Sequence, residues 1–326
     1  CLSSRNTRCK HRGILSIKKP NWWGQTISSK HKHIHADLDV ITYFSIPETL
    51  NAIYSLKTEA IDVMDNISAN KYFLIQSDSE FRKKYYLFSP LNFKFTFIGI
   101  NSRKGVLSNK KVRQAIAHLL NKEDVVNTIE KSYAQTTIGP INPKFKYNDK
   151  IVPHQTDINQ AKLLFSQSGL SNKCGKRYEQ NEVNPLELSL IYKQNTELEA
   201  IAQIFKASVE KIGLKMVLTE FSNATLYKKI DSRDFDIFIG TLTGSPFSFN
   251  FSPIFSTEAA QLGGYNDTGF GNAKSDSLIH AINFARDSLR REMHYLGYRK
   301  CFMMKLRCSF STFHKTKWPL VKNLPP

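Results

Sequence analysis

Several residue groups have the types that do chemistry, and each is weak in its spacing. Cys301, Cys308 and His314 stand in the basic segment RKCFMMKLRCSFSTFHKTKWP, Arg299 to Pro319. A structural zinc site takes four ligands, generally in close pairs. Here six residues separate the two cysteines, and no fourth ligand follows. His31, His33, His35 and Asp37 alternate in HKHIHAD. On a strand they would share one face, which suits a metal; an exposed polar strand edge is the reading preferred here. No GxSxG elbow, HExxH helix or phosphate-binding loop occurs. The motifs that signal nucleophilic, zinc-hydrolytic or nucleotide chemistry are therefore missing. No enzyme activity, metal or cofactor is expected.

Net charge is +18 over 326 residues, a balance that ordinarily points to nucleic acid or an anionic surface. The charge is unevenly placed. Residues 1–19 carry six Lys/Arg and no acid, and residues 294–326 carry seven and no acid. Taking these thirteen from 46 basic residues leaves 33 against 28 acidic ones. Four of the five cysteines, Cys1, Cys9, Cys301 and Cys308, also lie in the ends, with Cys174 alone in the body. The basic character thus belongs to the ends. A nucleic-acid-binding protein that uses those ends is the alternative reading, and the body shows no stacking platform or basic recognition helix to support it. No run of eighteen apolar residues or secretory leader occurs. With Cys1 as first residue and no initiator Met, a processed chain or a fragment is expected.

The elements that would position a site alternate. DLDVITYF (37–44), IDVMD (61–65) and KFTFIGIN (94–101) read as strands, and PETLNAIYSLK (47–57) as a helix with Pro in its first turn. In NKKVRQAIAHLL, residues Val112, Ala115, Ile116 and Leu119 fall on one helix face. KEDVVNTIEKS predicts a second helix. DINQAKLLFSQSGL predicts a helix capped by Asp157 and closed by Gly169. LELSLIY, KMVLTEF and FDIFIGTL read as strands separated by the helices NTELEAIAQIFKASVEKIGL and NATLYKKIDSR. KCGKRYEQNEVNP (173–185) reads as a loop. This order predicts an α/β lobe built from crossover units.

The order of motifs resembles the extracytoplasmic solute-binding proteins of ABC transporters, of the peptide- and nickel-binding type (family 5). PNWWG at Pro20–Gly24 resembles the family's NPxYWG turn, and LKTEAIDV at Leu56–Val63 its LKSGEIDV, with Glu59 where the family prefers Gly. FIGIN followed by KKVRQAIAHLLNKEDVV is the most specific match. TTIGPINP, DINQAKLLFSQSGL, RDFDIFIG and YNDTGFGNAKSDSLI follow in family order, so the resemblance covers residues 18–293. It implies a two-lobed periplasmic-binding-protein-like α/β architecture that closes on a solute. The protein would lie in the periplasm or on the cell envelope and hand a peptide or other small solute to an ABC permease. A monomer that binds no nucleic acid is expected. Residues 1–95 are read as a remnant of lobe one, 96–293 as lobe two and 294–326 as an atypical tail. A cleft lacking part of lobe one would bind peptides more weakly than micromolar.

The resemblance also implies where a ligand would sit. The strand matched by FDIFIG runs into the family's cleft, and a Trp and an Asp after it often meet the ligand. Thr241 takes the Trp position and Gly244 the Asp position. Capture of a free peptide amino group by that Asp is thereby put in doubt. Gly240, Thr241, Thr243, Gly244, Ser245 and Phe247, with Phe249, are the candidate contacts, and Asn101 and Arg103 join them near the expected hinge. Asn266, Thr268 and Asn272 match a family turn pattern and are read as turn chemistry.

The tail carries a further signal. The family's strand returning to lobe one has a pattern like YRxLQKxxYEEAPxxxLY, which is missing after residue 293. Met303-Met304-Lys305 fixes the bases ATGATGAA, and reading from the third base of the Phe302 codon forces Tyr or His, then Asp, then Glu. Synonymous codons allow LQKMFYDEAPVFFLYFPQNKMAIG in that frame. The tail is therefore expected to be out of frame from about Gly297, and residues 1–19 are a weaker case of the same kind.

Overall fold

The structure is a computed structural model. It describes residues 2–4, 13–21, 38–65, 67–137, 139–140, 156–173, 176–178, 184–243, 250–305, 308–315 and 318–321. The first part of the chain forms two small units. Strands β1 (Leu2–Ser4), β2 (Gly13–Lys18) and β3 (Val40–Phe44) make an antiparallel sheet in that order. After Pro47 comes helix α1 (Thr49–Lys57), then α2 (Ala69–Ser77), α3 (Ser79–Lys84) and strand β4 (Tyr85–Phe88). Asp78 starts α3 by accepting the amides of Glu80 and Phe81. These elements share a core of Leu56, Tyr72, Ile75, Phe81 and Tyr85. The strand expected over 61–65 is reduced to an isolated bridge at Val63, which is half exposed.

The larger unit begins with β5 (Leu91–Ile100). Helix α4 (Lys110–Ala117) starts at Asn109, whose side chain accepts the Lys111 amide, and buries Val112, Ala115 and Ile116 as the periodicity predicts. The next helix departs from expectation: α5 (Lys122–Asp124) passes at once into a five-residue π-turn over Val125–Ile129. Strand β6 (Ala134–Thr137) follows, then α6 (Ile158–Ser166), whose Asp157 cap accepts the Gln160 amide at 2.9 Å. Gly169 closes it at φ +86°, where a side chain would be strained. The loop expected over 173–185 is part hairpin: β7 (Ser171–Lys173) pairs with β8 (Lys176–Tyr178).

The crossover units come next: β9 (Glu187–Lys193), α7 (Thr196–Glu210), β10 (Lys215–Phe221), α8 (Asn223–Asp231) and β11 (Ile237–Thr243). Helices α9 (Ser252–Phe255), α10 (Ala273–Phe284) and α11 (Ser288–Lys305) precede β12 (Cys308–Lys315) and β13 (Trp318–Val321). The main sheet has the order β10-β9-β11-β5-β12-β6, and β13 pairs with β4. Side chains alternate across a strand. Ile237 and Ile239 join the core with Ile201, Phe205 and Val209 of α7, whereas Phe238 packs with Leu226 and Ile230 of α8. The two crossover helices therefore cover opposite faces of the sheet.

The tail joins this fold. The boundary drawn at residue 293 lies inside α11, where Tyr298, Arg299 and Cys301 are buried. Tyr298 stacks on Phe251 with centroids 4.9 Å apart. Where the sequence reading found the return strand missing, the backbone of β12 runs antiparallel between β5 and β6. The boundary drawn at residue 95 likewise falls inside β5.

Candidate functional site

The sheet opens at one place. From β9 the chain goes through α7 to β10 at the sheet edge, then back through α8 to β11 on the other side of β9. Connections leave in opposite directions on the two sides of the β9–β11 boundary. Such a switch point leaves a crevice outside the carboxyl ends of the parallel strands. The register shows it. β11 pairs with β5 along its whole length, Ile237 opposite Ile100 to Thr243 opposite Lys94. It pairs with β9 only through Ile237–Leu190 and Phe238–Ile191. Asp236 holds the closed end: its carboxylate accepts the amide and hydroxyl of Ser189, both at 2.8 Å, and meets Lys104 at 2.8 Å.

A cavity of about 800 Å³ occupies the open end. Thr96 and Phe97 of β5 and Phe238 to Leu242 of β11 form its floor. Its sides come from the start of α7, from Leu226, Tyr227 and Ile230 of α8, from Ile254 and Phe255 of α9, and from Tyr265, Asp267 and Thr268 of the following loop. The Phe97 and Phe238 rings meet edge to face at 5.6 Å. Gly240 must be glycine there: an added Cβ would lie 2.7 Å from both rings. Thr96 and Thr241 sit opposite each other with hydroxyls 3.4 Å apart, which places two polar groups on an otherwise apolar floor. Asn195 caps α7 by accepting the amides of Glu197 and Leu198.

Asp267 is a carboxylate in the cavity wall. Burial raises its pKa from 3.8 to about 6, against the pull of the Arg233 guanidinium bonded to it. Arg103 also favours the anion and Asp231 opposes it.

Of the residues expected at a site, Gly240 and Thr241 line the cavity. Thr243 ends β11, is exposed and lies outside the lining. Gly244, Ser245, Phe247 and Phe249 fall outside the described residues, as do His31, His33, His35, Asp37 and Cys174. Asn101 and Arg103 are not in the lining. The Asn101 amide donates to the carbonyls of Arg233 (3.2 Å) and Phe235 (3.1 Å), and Arg103 donates to those of Asp267, Ala260 and Asn266. Asn266 is a buried turn pin, bonded to Ser256 and to both backbone groups of Phe270, and Asn272 forms a capping box at α10. Thr268 lines the cavity as well as closing the turn. The sequence reading passed over Asp267, although it stands inside YNDTGFGN, and over the apolar stripe of α8. Among the described residues no group of three His, Cys, Asp or Glu could hold a metal, and no helix is long and apolar enough to cross a membrane.

A mixed α/β lobe with a crevice at the switch point of its sheet is the architecture of periplasmic-type binding proteins. Solved structures share it. The NikZ protein of Campylobacter jejuni, in complex with Ni(L-His), superposes with a TM-score of 0.79 at 17% identity, covering 100% of this chain and 63% of that one. The DppA protein of Helicobacter pylori, in complex with the peptide STSA, gives 0.77 at 18% identity, covering 99% and 59%. Residues 11–261 match the family model of bacterial extracellular solute-binding proteins, family 5, and the chain belongs to that family. It is 23% identical over 266 residues to the nickel-binding protein NikA of Staphylococcus aureus, covering 78% of this chain and 48% of that protein. To the oligopeptide-binding protein AppA of Bacillus subtilis it is 23% identical over 273 residues, covering 79% and 47%. The chain spans about half the length of these curated relatives.

Proposed function

We propose that the crevice between β9 and β11 is one wall of a solute site, and that the chain serves an ABC importer outside the cytoplasmic membrane by binding a peptide-like solute. The observation that carries this reading is the cavity itself. It lies where a ligand is expected in an open α/β sheet, in a chain whose family is extracellular solute binding. The Phe97, Phe238 and Phe255 rings suit apolar side chains of a solute, and the Thr96 and Thr241 hydroxyls suit its amide groups. With a carboxylate missing at Gly244, the amino group of a peptide is not the main anchor. The chain acts as a monomer, without nucleic acid, and performs no chemistry on its solute.

A floor that is apolar apart from two hydroxyls gives weak binding, so dissociation constants above about 10 μM are expected. Titration with trialanine and with Ni(II)–histidine, followed by amide NMR, tests the reading. Saturable shifts at Thr96, Gly240 and Thr268 support it, with trialanine the tighter probe. Absence of shifts at both probes up to about 10 mM overturns it.

A further inference from the structure

The loop after α9 carries Tyr265, Asp267 and Thr268 into the cavity, and two arginines hold it from different strands. Arg103 follows β5. Its guanidinium donates to the carbonyls of Asp267 at 2.9 Å, Ala260 at 2.8 Å and Asn266 at 3.2 Å. Arg233 precedes β11. It donates to the carbonyl of Gly264 at 2.7 Å and, more weakly, of Gln261 at 3.4 Å, and bonds the Asp267 carboxylate. Asn101 links the two, accepting the Arg103 amide at 3.2 Å while donating to the Arg233 carbonyl at 3.2 Å. Arg233 itself is left-handed, at φ +61°, a conformation that costs a non-glycine residue energy and persists where its surroundings fix it. Gly269 admits Arg103: a Cβ there would come within 2.8 Å of the guanidinium carbon.

Asn266 pins the far end of the loop to Ser256 and Phe270, and Ser102 bonds its Thr268 carbonyl, but the stretch before them has little apolar anchorage. Leu262 is 79% exposed and Tyr265 70% exposed. Apolar burial therefore does not set the position of residues 261–265. A rigid guanidinium fork reaching several carbonyls at once does so, and a lysine could not reproduce it.

We propose that Arg103 and Arg233 are positioning residues for solute binding, clamping loop 259–269 by its carbonyls and so fixing how far Tyr265, Asp267 and Thr268 stand into the cavity. This rests on the cavity being the solute site, and it gives Arg103 an indirect role in place of the ligand contact expected from sequence.

The test uses the full chain with Arg103→Lys and Arg233→Lys, which keep the charge and remove the fork. Ser102→Ala is a milder variant that removes one hydroxyl bond, 2.7 Å, to the Thr268 carbonyl of the same loop. Hydrogen exchange of amides 259–269 should quicken at least about ten-fold in either Lys variant, with β9 and β11 amides unchanged. Trialanine should bind at least about ten-fold more weakly to both, and about two-fold more weakly to Ser102→Ala. Faster exchange with unaltered trialanine affinity overturns the positioning role, and unchanged exchange overturns the clamp. Should a Lys variant fail to fold, Ser102→Ala decides: unchanged exchange and affinity there count against the proposal. Should the wild type bind no trialanine, the solute reading and the positioning role both fail, while exchange alone still shows whether the clamp exists.

Discussion

Replacing Asp267 by Asn should make the protein relatively more stable as pH rises. Burial in the cavity wall raises the Asp267 pKa from 3.8 to about 6, and the attraction of Arg233 and Arg103 offsets only part of that effect. An acid with a raised folded pKa binds its proton more tightly in the folded chain than in the unfolded one. Its contribution to stability is fully present below pH 3.8 and is lost as pH rises through about 6. A shift of roughly two units corresponds to at most about 3 kcal/mol. The side chain keeps 21% of its exposure, so screening by solvent brings the expected effect to about 1–2 kcal/mol. Asparagine imitates the protonated acid and does not titrate. Urea unfolding of both proteins at about pH 4 and about pH 7 should show the variant gaining about 1–2 kcal/mol on the wild type between the two. A relative stability that does not change, or a variant that loses ground to the wild type towards neutral pH, would refute the reasoning; the latter would mean that the ion pair outweighs the burial of its charge.

Three further outcomes are expected. Gly240→Ala should cost about 1–3 kcal/mol in urea unfolding, because its Cβ would press on the Phe97 and Phe238 rings, and a displaced Phe97 should also weaken trialanine binding. Tyr298→Ala should cost about 3–5 kcal/mol in the same assay, since the ring is wholly buried against Phe251, Phe255 and Phe270; an exposed, unpacked tail would lose nothing. Sequencing the coding DNA through codons 290–326 should show a gained or lost base near Gly297 if the tail is out of frame, and an intact frame would end that explanation of its composition.

The crossover units were legible because their signals are local and redundant. Strand β10 follows KMVLTEF residue for residue, α8 begins where NATLYKKIDSR does, and Asp157 and Gly169 bracket α6. Elements whose signals depend on neighbours were not. IDVMD has strand composition, yet Val63 gains only an isolated bridge; the polar segment after Ser171 pairs as a hairpin against its loop-like composition. The tail reads as foreign by charge and codon pattern, but CSFSTFHK alternates residues with strand propensity, and its backbone fits beside β5. The candidate site was legible only in part of its floor. Gly240 and Thr241 came from the strand that enters the crevice. Asp267 did not, because nothing in ND distinguishes a turn residue from a carboxylate half-sunk in a wall. Arg103 was read as a contact because it follows a crossing strand, and the loop it grips lies more than 150 positions away.

The most direct test is the amide-NMR titration of the full chain with trialanine. Saturable shifts confined to the cavity, at Thr96, Gly240 and Thr268, with a dissociation constant above about 10 μM, are the predicted result. Shifts absent there up to about 10 mM, alongside salt-sensitive DNA binding through the basic ends, would contradict the account and favour the nucleic-acid reading.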